Sequence, residues 1–116
     1  MAKGHMVVGS VTGTGSALTV ELGFSPDYVK VYNDADAAGL APTLEWWAGM
    51  ADGSALKSLS IADNGTTARK STEKITANGI SAFAGDDTTG AGFTIGADTD
   101  VNASGETIYY VAVGGE

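Results

Sequence analysis

The fold is decided by residues 92–116, which read GFTIGADTDVNASGETIYYVAVGGE. Two short runs of strand-forming residues, 93–95 and 107–113, flank a loop of Asp, Asn, Ser and Gly, and this pattern predicts a β-hairpin. The second run is almost continuous in apolar and β-forming residues. Such a run is typical of a strand in the middle of a sheet, with both of its faces covered.

The rest of the chain repeats this pattern of short strands between turns. Apolar and polar residues alternate most clearly at 17–22 and 28–33. Further strand candidates are 6–11, 44–50, 56–62 and 80–84, and turns are indicated at 13–16, Asp52-Gly53 and Asn64-Gly65. Residues 66–78 have no helical apolar stripe, so we expect an exposed loop or an edge strand there, with room for one short helix.

About eight short antiparallel strands at a spacing of roughly 8–12 residues predict an all-β fold. We expect a single-domain β-sandwich that is jelly-roll-like. The domain should span residues 1–116, with residues 1–5 as a flexible N-terminal arm. Glycine contributes 17 of the 116 residues, which agrees with many turns between short strands.

Charge and composition exclude several classes of function. The net charge is −8, from 14 acidic and 6 basic residues, and such a surface repels nucleic acid. The sequence contains no run of about 18 apolar residues, so we expect no membrane-spanning helix. There is no cysteine, which excludes a disulfide framework. The predicted partners therefore include neither nucleic acid nor a membrane.

The chain offers few residues for catalysis. His5 is the only histidine, and a Ser-His-Asp triad would depend on this residue in a terminal segment. Two carboxylate pairs, Asp86-Asp87 and Asp98 with Asp100, lie in turn-like segments, where Asp favours hydrogen bonds to the local backbone. We expect no catalytic residue and no cofactor, and we predict that the protein is not an enzyme.

One loop has the alternating oxygen ligands of a calcium site. Asp98, Asp100 and Asn102 are spaced as in such loops, but the sixth and twelfth positions hold Ala103 and Tyr109 in place of Gly and Glu. We therefore predict no metal, with Asp98, Asp100 and Asn102 as the candidate ligands if a cation binds. The alternative is that these residues form Asx-turns that close the predicted hairpin.

The aromatic residues suggest a contact surface. If residues 44–50 form a strand, Trp46 and Trp47 point to opposite sides, so one enters the core and the other is exposed or covered by a partner. Candidate interface residues are Trp47 and Tyr109, together with Met6, Val7 and Val8. The N-terminal group is included because an unpaired terminal segment can add to the sheet of a neighbour. A sugar-binding platform built on Trp47 or Tyr109 is the alternative.

Several stretches resemble one family of proteins. They are FSPDYVKVYN at 24–33, EWW at 45–47, GI at 79–80, GFTIG at 92–96, DTDVNASG at 98–105 and YYVA at 109–112. Together they resemble small β-rich virion proteins of tailed bacteriophages, in which a Phe-Pro-x-x-Val strand, a Gly-Ile turn and a closing Gly-Phe-x-x-Gly hairpin recur. The resemblance covers residues 24–113, and Ser25 departs from it by separating Phe24 from Pro26.

This resemblance implies a structural role in a virion, at the capsid surface, for a protein made in the host cytoplasm. The first expectation is a capsid decoration (cement) protein that binds the major capsid protein from outside and stabilises the shell, as a homotrimer. The alternatives are a tail-fibre or receptor-binding module that contacts the host, and a carbohydrate-binding module. The sequence has no coiled-coil or collagen-like stalk, which favours decoration.

Overall fold

The computed structural model describes residues 4–34, 42–58 and 72–115. In these segments the chain forms eight strands and no helix. The strands are β1 (Gly4–Thr12), β2 (Leu18–Glu21), β3 (Tyr28–Asn33), β4 (Thr43–Trp47), β5 (Ser54–Ser58), β6 (Thr72–Phe83), β7 (Gly92–Ile95) and β8 (Thr107–Gly115). All seven strand pairings are antiparallel. The predicted all-β class with eight short antiparallel strands is confirmed.

The strands form one hydrogen-bonded ladder in the order β1-β8-β3-β4-β5-β6-β7-β2. The five strands from β3 to β7 are neighbours in sequence, while β8 returns to lie between β1 and β3, and β2 lies beside β7. Consecutive strands β1 and β2 are therefore the two ends of the ladder. The sheet folds on itself and is nearly closed around a single core. None of the described residues forms a helix long and apolar enough to cross a membrane.

The sheet turns a corner within β6. Ser54 of β5 pairs with Ile80, but the next residue, Ala55, pairs with Ile75, so residues 76–79 bulge out of the ladder. Asn78 has a positive φ of 63° there, which Asn tolerates better than most residues. A Cβ on Gly79 would lie 2.6 Å from the Ser54 carbonyl oxygen. The bulge therefore needs glycine at this point, and it lets one strand serve two layers.

Two layers result from this corner. The first layer contains β1, β8, β3, β4, β5 and the start of β6, and the second contains the end of β6, β7 and β2. Their inward side chains form one cluster, which comprises Val20, Val29, Val31, Leu44, Trp46, Ala55, Ile80, Phe93, Ile95, Val101, Ile108 and Ala112. Phe93 of the second layer meets Tyr110 of the first edge to face, with 5.5 Å between ring centroids. The core is thus shared by both layers.

The prediction of a hairpin between residues 93–95 and 107–113 is wrong. β7 pairs with β2 and β6, and β8 pairs with β1 and β3, so the two strands lie in different layers and face each other across the core. The loop between them, residues 96–106, crosses from one layer to the other. Local sequence could not distinguish these arrangements, because a hairpin and a crossing both need a turn-forming loop between two apolar strands.

Other predicted segments fall partly within the described residues. Of residues 66–78, those from Thr72 onward belong to β6, and residues 72–75 pair with β5 alone, which agrees with the edge-strand alternative. The predicted Asn64-Gly65 turn lies outside the described residues. β1 begins at Gly4, so Gly4 and His5 of the expected N-terminal arm are strand residues opposite Gly115 and Gly114. Residues 1–3 lie outside the described part.

Candidate functional site

The outward side of β1, β8, β3 and β4 forms a surface that we call the aromatic face. Strand register aligns its members in three rows across these four strands. The rows are Met6–Val113–Tyr28–Trp47, Val8–Val111–Lys30–Glu45 and Ser10–Tyr109–Tyr32–Thr43. Because side chains alternate between the two sides of a strand, these rows all point away from the core.

The aromatic face holds the exposed large hydrophobic side chains of the described residues. They are Met6 (70% exposed), Val8 (69%), Tyr109 (48%), Trp47 (43%) and Val113 (37%). Single exposed apolar residues scattered over a surface are ordinary, whereas a contiguous group marks an interaction site. Strand register puts Val113 beside Met6, and Tyr28 connects Val113 to Trp47, so the group is contiguous.

β8 explains why this surface exists. Its inward residues Ile108 and Ala112 are fully buried, and its outward residues Tyr109, Val111 and Val113 are also apolar or aromatic. The sequence predicted that both faces of this strand would be covered. In the described structure only the inward face is, since Tyr109 and Val113 are exposed. The uncovered apolar side of a central strand is what a bound partner would cover.

A shallow depression of about 480 Å³ lies on the aromatic face. It is lined mainly by Val8, Ser10, Lys30, Tyr32, Tyr109 and Val111. Lys30 is exposed and forms no ion pair with the described residues. The depression therefore combines apolar walls with one positive charge, in a chain whose net charge is −8.

Beside the depression, Tyr28 and Glu45 form a hydrogen-bonded pair. The Tyr28 hydroxyl donates to Glu45 Oε2 at 2.5 Å. Burial, followed by this hydrogen bond and by the charge of Glu45, raises the pKa of Tyr28 from 10.0 to about 12. Glu45 therefore accepts a hydrogen bond from Tyr28 and forms no ion pair with Lys30, its cross-strand neighbour.

The structure brings together four of the five predicted interface residues. Trp47, Tyr109, Met6 and Val8 lie on the aromatic face, and Trp46 is buried on the opposite side of β4, as the alternation predicted. Val7 is the exception, because it is half-buried on the inward side of β1. That these residues form an interface remains a prediction.

Sequence reasoning missed the members of the aromatic face contributed by the middle strands. They are Tyr28, Lys30, Tyr32, Val111 and Val113. The alternation of β3 is visible in the sequence, whereas β8 is almost continuous in apolar and β-forming residues. What the sequence lacks is the strand order that puts β8 between β1 and β3, because pairing between strands distant in sequence leaves no local signal.

Two of the three candidate cation ligands, Asp98 and Asp100, form ion pairs with Lys57. Lys57 Nζ lies 2.8 Å from Asp98 Oδ2 and 2.6 Å from Asp100 Oδ2. Burial lowers the pKa of Lys57, but its hydrogen bonds to Asp100 and Asp98 outweigh burial, so the pKa is raised above its ordinary value. Asp98 Oδ1 also accepts the backbone N–H groups of Asp100 and Val101, both at 3.0 Å. These two bonds form the Asx-turn of the sequence alternative.

Asn102, the third candidate ligand, points elsewhere. Its side chain is fully buried. Its Oδ1 accepts the Thr14 N–H at 2.8 Å, and its Nδ2 donates to the carbonyls of Ser16 and Gly96 at 2.7 and 2.9 Å. The three candidates therefore do not converge. They fasten the 96–106 loop to the β1–β2 turn and to β5, which is a structural role.

The other carboxylate pair, Asp86-Asp87, also lies in a turn. Asp86 Oδ1 accepts the backbone N–H groups of Thr88 and Thr89 at 2.9 and 2.8 Å. These backbone hydrogen bonds lower the pKa of Asp86. Asp86 therefore caps the turn, as Asp commonly does when its carboxylate accepts local N–H groups.

Comparison with known proteins gives no relative. The chain matches no protein-family model, no curated protein sequence and no solved structure. Within the described residues, the aromatic face is the candidate functional site.

Proposed function

We propose that this protein is a non-enzymatic structural protein that works by docking its aromatic face onto another protein. The observation that carries the proposal is the placement of Met6, Val8, Trp47, Tyr109 and Val113 on a single side of one layer. Protein interfaces are enriched in Trp, Tyr and Met, and their energetic centres favour Trp and Tyr.

With the resemblance to virion proteins of tailed bacteriophages, we propose that the partner is the major capsid protein. The chain would then be a decoration protein on the outside of the head. A protein that binds only the assembled shell stabilises that state by its binding free energy. The complementary capsid surface would be apolar and would offer a carboxylate to Lys30, which forms no ion pair within the described residues. The homotrimer implied by the resemblance stays a prediction.

Heads that lack this protein test the decoration role. We expect such heads to release DNA at a lower temperature, and more readily under osmotic shock, than complete heads. Purified wild-type protein should restore stability, and Trp47→Ala should restore it poorly, because it removes the largest side chain of the aromatic face. Thr94→Ala is the matched control, since Thr94 lies on the outward side of the second layer.

Two other results would redirect the proposal. Unchanged head stability together with lost adsorption to host cells would contradict decoration and favour a tail-fibre or receptor-binding module.

The exposed Trp47, in the same cross-strand row as Tyr28, favours a carbohydrate-binding module as the second candidate, since aromatic side chains can cover a sugar ring. Glycan-array binding that Trp47→Ala abolishes and Thr94→Ala preserves would support that candidate against decoration.

A further inference from the structure

The outer edge of β1 is unusual for an edge strand. Within the described part of the chain, β1 pairs with β8 on one side and no strand pairs with its other side. Proteins commonly protect such edges with charge, proline, a bulge or a very short strand. At the other end of the ladder, β2 has only four residues and ends at Glu21. β1 has nine residues in unbroken register, and its only ionisable side chain is His5.

Backbone direction shows which β1 residues face the open side. The Gly13 N–H donates to the Glu106 carbonyl at 2.8 Å, in the register that continues the β1–β8 ladder. Because backbone groups of alternate residues in a strand point to opposite sides, the odd-numbered residues of β1 bond β8. Met6, Val8 and Ser10 therefore direct their N–H and C=O groups toward the free edge.

We infer that the free edge of β1 pairs antiparallel with β1 of a second copy, about a two-fold axis at Val8. Val8 is the middle residue of Gly4–Thr12, so this register pairs every residue of the strand, and any shift loses pairs. Met6 then lies opposite Ser10 of the second copy. The same edge is used by both copies, as a closed two-fold dimer requires, and the added strand is a form of β-augmentation.

Charge favours a second copy as the occupant. The chain has a net charge of −8, yet residues 1–20 contain no Asp or Glu. Two β1 edges can therefore meet without the like-charge repulsion expected between other parts of this surface. Pairing would also join the two aromatic faces, with Val8 next to Val8 in the middle. This inference rests on the edge and not on the proposed function, and it gives a dimer in place of the trimer implied by the resemblance.

Single cysteines test both the contact and its register. The chain has no cysteine, so Val8→Cys and Met6→Cys each introduce one thiol, at positions with almost equal exposure of 69% and 70%. At the two-fold axis the two Cα atoms at position 8 lie about 5.5 Å apart, within disulfide range. The two positions 6 are displaced by four residues, about 13 Å along the strands, which is too far.

Under mild oxidation we expect Val8→Cys to form disulfide dimers at least about tenfold faster than Met6→Cys. An equal mixture of Met6→Cys and Ser10→Cys should give the mixed disulfide. Equal rates for Val8→Cys and Met6→Cys would mean random collision and would overturn the inference. Since each side chain is exposed, the variants should keep the far-UV circular dichroism of the wild type.

Sedimentation velocity supplies a second test with a matched pair of variants. The wild type should sediment as a dimer, and Val8→Lys should raise the dissociation constant at least about tenfold, because two lysines would face each other. Thr19→Lys makes the same charge change on the exposed side of β2 and should leave the dimer intact. A wild type that sediments as a monomer or a trimer at every concentration would overturn the inference. Head binding by such a monomer would leave the proposed function standing.

Discussion

The two layers of this protein share one core, but their outer surfaces differ in chemical character. The aromatic face of the first layer exposes Met6, Val8, Trp47, Tyr109 and Val113. The outward side of the second layer carries a row of hydroxyl side chains, Thr19–Thr94–Ser81. A second row, Glu21–Gly92–Phe83, ends in half-buried Phe83. The hydroxyls of Thr19 and Thr94 lie 3.0 Å apart and hydrogen-bond each other.

This contrast indicates which of the two outer surfaces a partner would cover. Hydroxyl groups exposed on a sheet are satisfied by water and by each other, so the second layer gains little from being covered. The apolar side chains of the aromatic face would gain from removal of water, at about 25 cal/mol per Å² of apolar area. Of the two outer surfaces, the first is therefore the one that a partner would stabilise.

The greatest loss of stability should come from truncating a side chain in the core that both layers share. Phe93→Ala should lower the free energy of unfolding by about 3–5 kcal/mol, because it leaves a cavity and removes the contact with Tyr110. The adjacent residue Thr94 points outward, so Thr94→Ala should change stability by less than about 1 kcal/mol. Urea denaturation of both variants measures the difference. Equal losses would contradict the inward and outward assignment of β7.

A smaller loss is expected where Lys57 joins β5 to the 96–106 loop. Lys57→Met leaves the carboxylates of Asp98 and Asp100 without their counter-ion. We expect a loss of about 2 kcal/mol, reduced from that of a fully buried pair because Asp100 is partly exposed. Lys74→Met is the control, since Lys74 is exposed and forms no ion pair among the described residues. Unfolding midpoints that agree for the two variants would refute a stabilising role for this cluster.

Binding should separate the two outer surfaces directly. Trp47→Ala should weaken binding to purified heads by about 30-fold, equal to about 2 kcal/mol, which is typical of an aromatic residue at the centre of an interface. Thr94→Ala should bind within about twofold of the wild type. A pelleting assay at several protein concentrations gives both affinities. Equal affinities for the two variants would remove Trp47 from the interface.

The smallest effect is expected at high pH. The pKa of Tyr28 is raised to about 12 from 10.0, and that of Lys57 is also raised. When a folded-state pKa exceeds the unfolded one, the stabilisation is complete below the unfolded pKa and is lost as pH rises through the folded pKa. Stability should therefore fall between pH 10 and about 12.

Absorbance at 295 nm should resolve a late titration step that belongs to Tyr28; the pKa of Tyr32 is also raised, by burial and by the nearby charge of Asp34. Glu45→Gln should lower the pKa of Tyr28 but leave it above 10.0, because burial is the largest cause of the shift. Tyr28→Phe identifies the group, since it should remove that late step alone. A wild-type titration without a late step would contradict the Tyr28–Glu45 pair.

The sequence predicted the strands better than their partners. Residues 28–33 were predicted as a strand and form β3 with the same bounds, and the opposite orientations of Trp46 and Trp47 are confirmed. Alternation within a strand is a local signal, so it can be read without knowing the fold. The pairing of β8 with β1 and β3 is a contact between distant segments, and the supposed hairpin failed for that reason.

The candidate site was predictable in part for the same physical reason. Trp47 and Tyr109 stand out as surplus aromatics, and Met6 and Val8 belong to an apolar terminal strand. Their meeting on one face depends on strand order, which the sequence does not encode locally. Likewise, no spacing rule connects Lys57 to Asp98 and Asp100, whose carboxylates it holds 41 and 43 residues away in the chain.

Hydroxyl-radical footprinting of the free protein and of the protein bound to heads tests the role of the aromatic face most directly. Hydroxyl radicals oxidise Met, Trp, Tyr and Phe side chains, so Trp47 and Tyr109 report on the aromatic face and Phe83 reports on the second layer. We expect binding to protect Trp47 and Tyr109 and to leave oxidation of Phe83 unchanged. Protection of Phe83 with unchanged oxidation of Trp47 and Tyr109 would contradict docking through the aromatic face.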